Sequence, residues 1–254
     1  MELVPLFKSH YSLGRSILTL EKEGVSVKDG PDSIVDIAKE NELEEVFLVD
    51  DCMGGFLEAY TNLAEAKIKL IFGVRLTICE DCSQKNEGAI NTSSKYVILC
   101  RNKKGYERLI KIYSQAAKEG FYYEPRIDFS ELKKNWSNED LILAVPFYDS
   151  FVFYNNFSSR NCIPDFSFCN PIFFTEDNKL PYDQILLSLV QKYAKEQSYQ
   201  ERKCKSVYYK DKAHFKAYLT FRCINKRSSL EKPELNNMCS DTFCFESWKE
   251  RANG

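Results

Sequence analysis

The sequence predicts an α/β protein whose strands form a parallel sheet or barrel wrapped by helices. Short apolar runs alternate with segments of helical period through the first half of the chain. The runs Glu45–Val49 and Ile68–Phe72 are continuous rather than alternating, the pattern of strands buried on both faces. A length of 254 residues suits one domain, because single α/β barrels run to about 250 residues.

In chain order, Leu3–Phe7 reads as the first strand and ends in polar His10-Tyr11-Ser12. Gly30-Pro31 breaks the chain, and Asp32 or Ser33 can cap a helix that turns Ile34, Val35, Ile37 and Ala38 inward. Glu45–Val49 is the next strand and ends in the acidic pair Asp50-Asp51. Gly54-Gly55 leads into a helix from Phe56 to Ala66, and strand Ile68–Phe72 is closed by Gly73. Tyr96–Cys100 is a strand, followed by a Lys-Lys-Gly turn and the helix Tyr106–Ala117. Beyond it Leu141–Val145 reads as a strand, and Phe147–Asn170 is rich in aromatics and Asn without a clear period. Tyr182–Ala194 is an amphipathic helix, Ser206–Tyr209 a short strand and His214–Ile224 a helix. From Asn225 onward Ser, Pro and Asn predict surface loops with a frayed tail.

Hydrophobic residues make up 44% and charged residues 28%, an ordinary globular balance. A formal net charge of −2 argues against a free-standing DNA clamp, which would be basic. The start carries no signal-like apolar run, and no stretch is long enough for a membrane span. Ten cysteines in a chain of this size without a leader are read as reduced thiols, hence a cytoplasmic setting.

Functional residues of α/β barrels collect at the C-terminal ends of strands. Lys8-Ser9-His10, Asp50-Asp51 and Arg75 occupy such positions in this reading. Asp50-Asp51 can ligate a hard metal through carboxylate oxygens, or simply cap the helix that follows.

At these residues the chain resembles the polymerase-and-histidinol-phosphatase (PHP) family. Phe7-Lys-Ser-His-Tyr-Ser-Leu13 resembles the family's opening His-x-His-(x)-Tyr-Ser-Leu, and Val46-Phe-Leu-Val-Asp-Asp51 with Gly55 its Leu-Thr-Asp-His motif. Ile68-Lys-Leu-Ile-Phe-Gly-Val-Arg75 is similar to Ile-Lys-Pro-Ile-x-Gly-x-Glu. Tyr96-Val-Ile-Leu-Cys-Arg-Asn-Lys-Lys-Gly-Tyr106 and Glu119-Gly-Phe-Tyr-Tyr-Glu-Pro-Arg-Ile-Asp128 look like the branch that opens bacterial DNA polymerase III alpha subunits. The resemblance implies a distorted TIM-like (β/α)7 barrel, read as one PHP-like domain over 1–254, motif-matching over 6–128 and divergent over 129–254.

Hydrolysis of phosphate esters by this family rests on clustered metal ions, which lower the pKa of bound water and clamp phosphoryl oxygens. That cluster needs many His and carboxylate ligands, and this chain has two histidines, His10 and His214. The resemblance places Lys8 where the family has its first His, Arg15 at an acidic position, Asp51 at the His after Asp50, and Arg75 at a Glu. The late Asp-x-His motif falls on Ser206-Val-Tyr208. Lys and Arg offer no lone pair to a metal at neutral pH. The expectation is a vestigial pocket of Lys8, His10, Arg15, Asp50, Asp51 and Arg75, whose cations pair with Asp50 and Asp51 in place of metal.

Other features have a functional and a plain reading. Cys79-Glu-Asp-Cys82 has half the spacing of a zinc knuckle but no second pair, which favours free thiols. Cys52 without a nearby His reads as a buried thiol, and His214 as a surface residue. Lys103, Lys104, Arg108 and Lys111 form a basic strip, either a solvated face or a weak DNA contact. Aromatics including Phe151, Phe153, Phe166 and Phe173 are core by default, or a docking surface.

The function expected is a DNA-replication-associated module of the polymerase III alpha type with a degenerate metal site, acting as a scaffold for a polymerase core or proofreading exonuclease, with no cofactor. The alternative is a metal-dependent phosphoesterase or 3′–5′ exonuclease holding zinc, manganese or magnesium at His10, Asp50 and Asp51. An unrelated α/β binding protein is a third reading, which an open sheet would support.

Overall fold

In a computed structural model describing residues 3–26, 30–227, 229–230 and 239–252, the chain divides into two units. The first comprises residues 1–72, 176–183 and 203–254, and the second 73–175 and 184–202.

Three parallel strands form the frame of the first unit. β1 (Val4–Phe7) is buried along its whole length and lies between β2 (Glu45–Asp50) and β8 (Gln200–Val207). Leu6 stands opposite Phe47 on one side and Ser206 on the other. Strands buried on two faces carry no polar alternation, which is why these runs read as continuous. Helix α1 (Ile34–Glu40) starts at Ser33, whose side chain accepts from the Val35 amide, and α2 (Phe56–Glu65) follows β2. After β8, a 3-10 turn at Lys212–His214 leads into α8 (Phe215–Lys226).

The segment expected to be C-terminal loop includes α9 (Phe245–Ala252); residues 228, 231–238 and 253–254 of that expectation lie outside the described residues. Tertiary packing overrides the local signals. Phe245 stacks on Phe7 at 5.8 Å, and the Trp248 indole donates to the Leu3 carbonyl at 2.8 Å.

The second unit orders its strands β7-β6-β4-β3-β5. These are β3 (Lys69–Cys79), β4 (Ser94–Cys100), β5 (Arg126–Asp128), β6 (Leu141–Val145) and β7 (Ile172–Thr175). The expectation of parallel strands fails at β4, which runs antiparallel to both β3 and β6. Gly73 does not close a strand either. It sits within β3 opposite Leu99, where an added Cβ would come within 2.5 Å of the Leu99 side chain. Glycine there permits close packing between strands rather than a turn.

The supposed Lys-Lys-Gly turn is the first turn of α4 (Lys103–Lys118), capped by Asn102, whose side chain accepts from the Gly105 amide. The short helices α3 (Glu87–Asn91) and α5 (Phe129–Lys134) are likewise capped by Asn86 and Asp128. The stretch Phe147–Asn170 contains α6 (Phe151–Phe157), capped by Ser150, and α7 (Asp183–Glu196) lies mostly in this unit. Phe151 contacts the rings of Tyr96, Phe166, Phe173 and Tyr193 at 5.1–6.5 Å and is core, whereas Phe157 of the same stretch is exposed.

Candidate functional site

Parallel strands end on a common edge, so the register of β1, β2 and β8 gathers the residues that follow them. Lys8, Ser9 and His10 follow β1, Asp50 closes β2 with Asp51 next, and Tyr208 follows β8. All belong to the first unit.

Asp50 is fully buried and is held by neutral donors. Its Oδ1 accepts from the Ser9 amide at 2.8 Å and the Ser12 hydroxyl at 2.7 Å, and its Oδ2 from the Ser9 hydroxyl at 2.7 Å. The Ser12 oxygen in turn accepts from the Asp51 amide at 2.8 Å. A buried carboxylate is tolerated when its lone pairs are filled in this way.

Asp51 takes the cations. Lys8 Nζ lies 2.8 Å from its Oδ1 and Arg15 Nε 3.7 Å from its Oδ2. The Lys8 side chain is 6% exposed and that of Asp51 29%, so this pair is far less screened than a surface ion pair. Neither aspartate caps α2, whose first turn starts at Gly55.

His10 stands beside Tyr11 with ring centroids 4.5 Å apart, and its Nδ1 is buried without a hydrogen-bond partner among the described residues. The Tyr11 hydroxyl donates to Glu58 at 2.8 Å; that bond, and then burial, push the phenol above its ordinary pKa. The Cys52 thiol donates to the Tyr11 carbonyl at 3.4 Å, and burial pushes its pKa up, which removes thiolate character.

Arg75 departs from its expected place. Because β3 runs on to Cys79, Arg75 is mid-strand rather than at a strand end, and it lies in the second unit, where it pairs with Asp149.

The late motif position bonds to an acid. Ser206 donates to Glu176 twice, from its amide at 2.9 Å and its hydroxyl at 2.8 Å. Glu176 directly follows β7, and its carboxylate also accepts from Asn178 at 2.9 Å, while Lys205 donates to the Asn178 side-chain oxygen. Sequence reasoning missed Glu176, Asn178 and Lys205. The available signal was the run Ile172–Thr175 ending in an acid, the same pattern that marked Asp50. Among the described residues no group of three or more His, Cys, Asp or Glu is placed to hold a metal ion.

The remaining candidates either have local partners or are exposed. Cys79 donates to the Ile127 carbonyl and Cys82 to the Asp128 carboxylate at 2.9 Å, and burial pushes Cys82 up to about 12. All ten cysteines are free thiols. His214 is 42% exposed, with Nδ1 3.1 Å from Asp32. Arg108 leaves the basic strip to pair with Asp140 at 2.8 Å, whereas Lys103, Lys104 and Lys111 are exposed. Among the described residues no helix is long and apolar enough to cross a membrane.

A family profile described as the PHP domain matches residues 25–159, more than half of the chain. The chain belongs to the PHP family. Its mixed α/β architecture is that family's TIM-like barrel class. This PHP domain is similar to DNA polymerase III subunit alpha of Borreliella burgdorferi, 32% identical over 115 residues, 43% of the chain and 10% of that protein. The same subunit of Helicobacter pylori strain 26695 is 33% identical over 116 residues, 43% of the chain and 9% of that protein. That of Chlamydia muridarum is 32% identical over 83 residues, 32% of the chain and 7% of that protein. The PHP domain therefore spans about a tenth or less of the length of these relatives.

Proposed function

We propose that this PHP domain is a replication-associated scaffold whose phosphoesterase-type site is degenerate and is held together by ion pairs and hydrogen bonds in place of metal. The observation that carries the reading is the Lys8–Asp51 ion pair at the ends of β1 and β2. A phosphoesterase site of this type needs open carboxylate and imidazole lone pairs converging on ions. In this chain the aspartate oxygens are taken up by Ser9, Ser12, Lys8 and Arg15. An ammonium group supplies the positive charge that would otherwise come from metal, and it can neither polarise a phosphoryl oxygen as a Lewis acid nor generate hydroxide. The donor set does not fit a metal cluster.

Its partners on this reading are replication proteins, a polymerase core or a proofreading exonuclease, and its setting is cytoplasmic. Contact with DNA is at most weak, through Lys103, Lys104 and Lys111. The competing reading, a reduced metal centre at His10, Asp50 and Asp51, draws on the buried, unpartnered His10 Nδ1.

Metal analysis of the purified chain after incubation with manganese or zinc separates the two, together with assays on a nucleotide phosphoester and on single-stranded DNA. The scaffold reading expects no stoichiometric metal and no turnover above buffer. Bound metal with hydrolysis abolished by Asp50→Asn would overturn it in favour of the enzyme.

A further inference from the structure

The first unit contains a buried amine, a buried carboxamide and a buried carboxyl group joined in that order by hydrogen bonds, and none of them makes a bond to Asp50 or Asp51. Lys205 and Asn178 are fully buried and Glu176 is 7% exposed. The Asn178 side chain lies between the other two. Its Oδ1 accepts from Lys205 Nζ, and its Nδ2 donates to Glu176 Oε2 at 2.9 Å. Ser206 holds both Glu176 oxygens, at 2.8 and 2.9 Å. The Phe243 ring centroid is 5.9 Å from Lys205 Nζ and helps exclude water.

We propose that Lys205 and Asn178 react with each other to form an intramolecular amide (isopeptide) bond, with Glu176 as the proton carrier. The Nζ lone pair attacks the Asn178 Cγ and forms the N–C bond. Glu176, in its acid form, gives a proton to Nδ2; once the N–C bond has formed, Nζ is two bonds from Nδ2, and its surplus proton passes back to Glu176, which ends as it began. The Cγ–Nδ2 bond breaks and Nδ2 leaves as ammonia. One amide replaces another, so no oxidant, reductant or outside reactant is needed.

Burial shifts both groups in the direction this requires. It lowers the Lys205 amine to about 8, although Glu176 pulls the other way, and it raises the Glu176 carboxyl above its ordinary range. A neutral amine is a nucleophile and a protonated carboxyl is an acid, as covalent catalysis in a dry site demands.

The backbone around Asn178 is also fixed, and orientation of this kind is worth many powers of ten in an intramolecular reaction. The Asn178 amide donates to Asp183 at 2.7 Å, and the Asn178 carbonyl accepts from Ser240 at 2.5 Å and Thr242 at 2.9 Å. The usual competing reaction of an asparagine is attack on its Cγ by the next backbone nitrogen, which gives a succinimide. That nitrogen, of Lys179, is engaged with Asp177 at 3.1 Å.

The test is the intact mass of the purified full chain, followed by peptide mapping. The expected result is a mass lower than the sequence mass by one ammonia in most molecules, and a branched peptide joining the segments that carry Asn178 and Lys205. Lys205→Arg, which keeps the charge, and Glu176→Gln, which removes the proton carrier, each restore the full mass. A wild-type chain that is folded by circular dichroism and retains its full sequence mass after days at pH 8 overturns the proposal, whatever the variants do. An ammonia loss that maps to a linear succinimide at Asn178 overturns it equally.

Discussion

Ser12→Ala tests the account of the Asp50 cage most directly. The Ser12 hydroxyl makes two contacts, donating to Asp50 Oδ1 at 2.7 Å and accepting from the Asp51 amide at 2.8 Å. The first joins a hydroxyl to a fully buried carboxylate, and hydrogen bonds to charged groups contribute about 1.5–3 kcal/mol net. The second, at a half-buried amide that water can partly reach, adds about 1 kcal/mol. Alanine should therefore cost about 3 kcal/mol. Ser16→Ala is the matched control. The Ser16 hydroxyl also makes two bonds, to the Tyr208 carbonyl at 2.9 Å and from the Leu18 amide at 3.1 Å, but both partners are neutral, so its loss should cost about 1–2 kcal/mol. Urea unfolding of both variants followed by circular dichroism measures the difference. A Ser12→Ala cost no greater than that of Ser16→Ala would refute the claim that the serines hold the buried Asp50 side chain.

Three further predictions test the frame. Gly105→Ala places a Cβ 2.1 Å from the Asp140 carbonyl oxygen, a backbone atom that no rotamer change can move, so the variant should lose about 2 kcal/mol in urea melts despite alanine's better helix propensity. Phe151→Ala removes the ring at the centre of the aromatic cluster and should cost about 3–5 kcal/mol, whereas Phe157→Ala, at a ring 38% exposed, should cost under about 1 kcal/mol by the same measurement. Lys133, and then Ser167, hold Asp165 down at about 2, below its ordinary 3.8. A depressed acid stabilises the fold above its unfolded value, and that stabilisation disappears as pH falls from about 4 towards 2. The pair is largely exposed, so the stability gap between wild type and Lys133→Met should be below about 1 kcal/mol at pH 6 and close as pH approaches 2.

The elements that local periodicity defines were legible in the sequence. β1, β2, β6 and α4 stand within a few residues of their expected bounds because each combines an apolar period with a capping or breaking signal. What failed was non-local. No periodicity distinguishes a strand with parallel neighbours from β4, which has two antiparallel ones, and a glycine that ends a strand looks the same as Gly73, which lets Leu99 pack against it. The error over Gly73 carried over to the site, since it was the reason for placing Arg75 at a strand end.

At the site itself, the pairing of Lys8 and Arg15 with Asp51 follows the expectation, whereas Asp50 meets hydroxyls instead of a cation and Arg75 pairs elsewhere. Lys8, Asp50 and Asp51 were picked out by their places at strand ends and Arg15 by the family resemblance, but the division of labour depends on geometry. Asp50, in the last register position of β2, is buried and within reach of the Ser9 amide, and Asp51, one residue on and 29% exposed in its side chain, meets the two cations. A one-residue step at a strand end moves a side chain from one face to the other. Two adjacent aspartates therefore have different chemistry, one solvated by hydroxyls and the other by cations. This separation makes the two halves of the proposed function independently testable, because Lys8→Met should remove the ammonium from Asp51 Oδ1, with Arg15 left at Oδ2, and leave the Asp50 cage intact, which manganese titration and urea unfolding respectively measure.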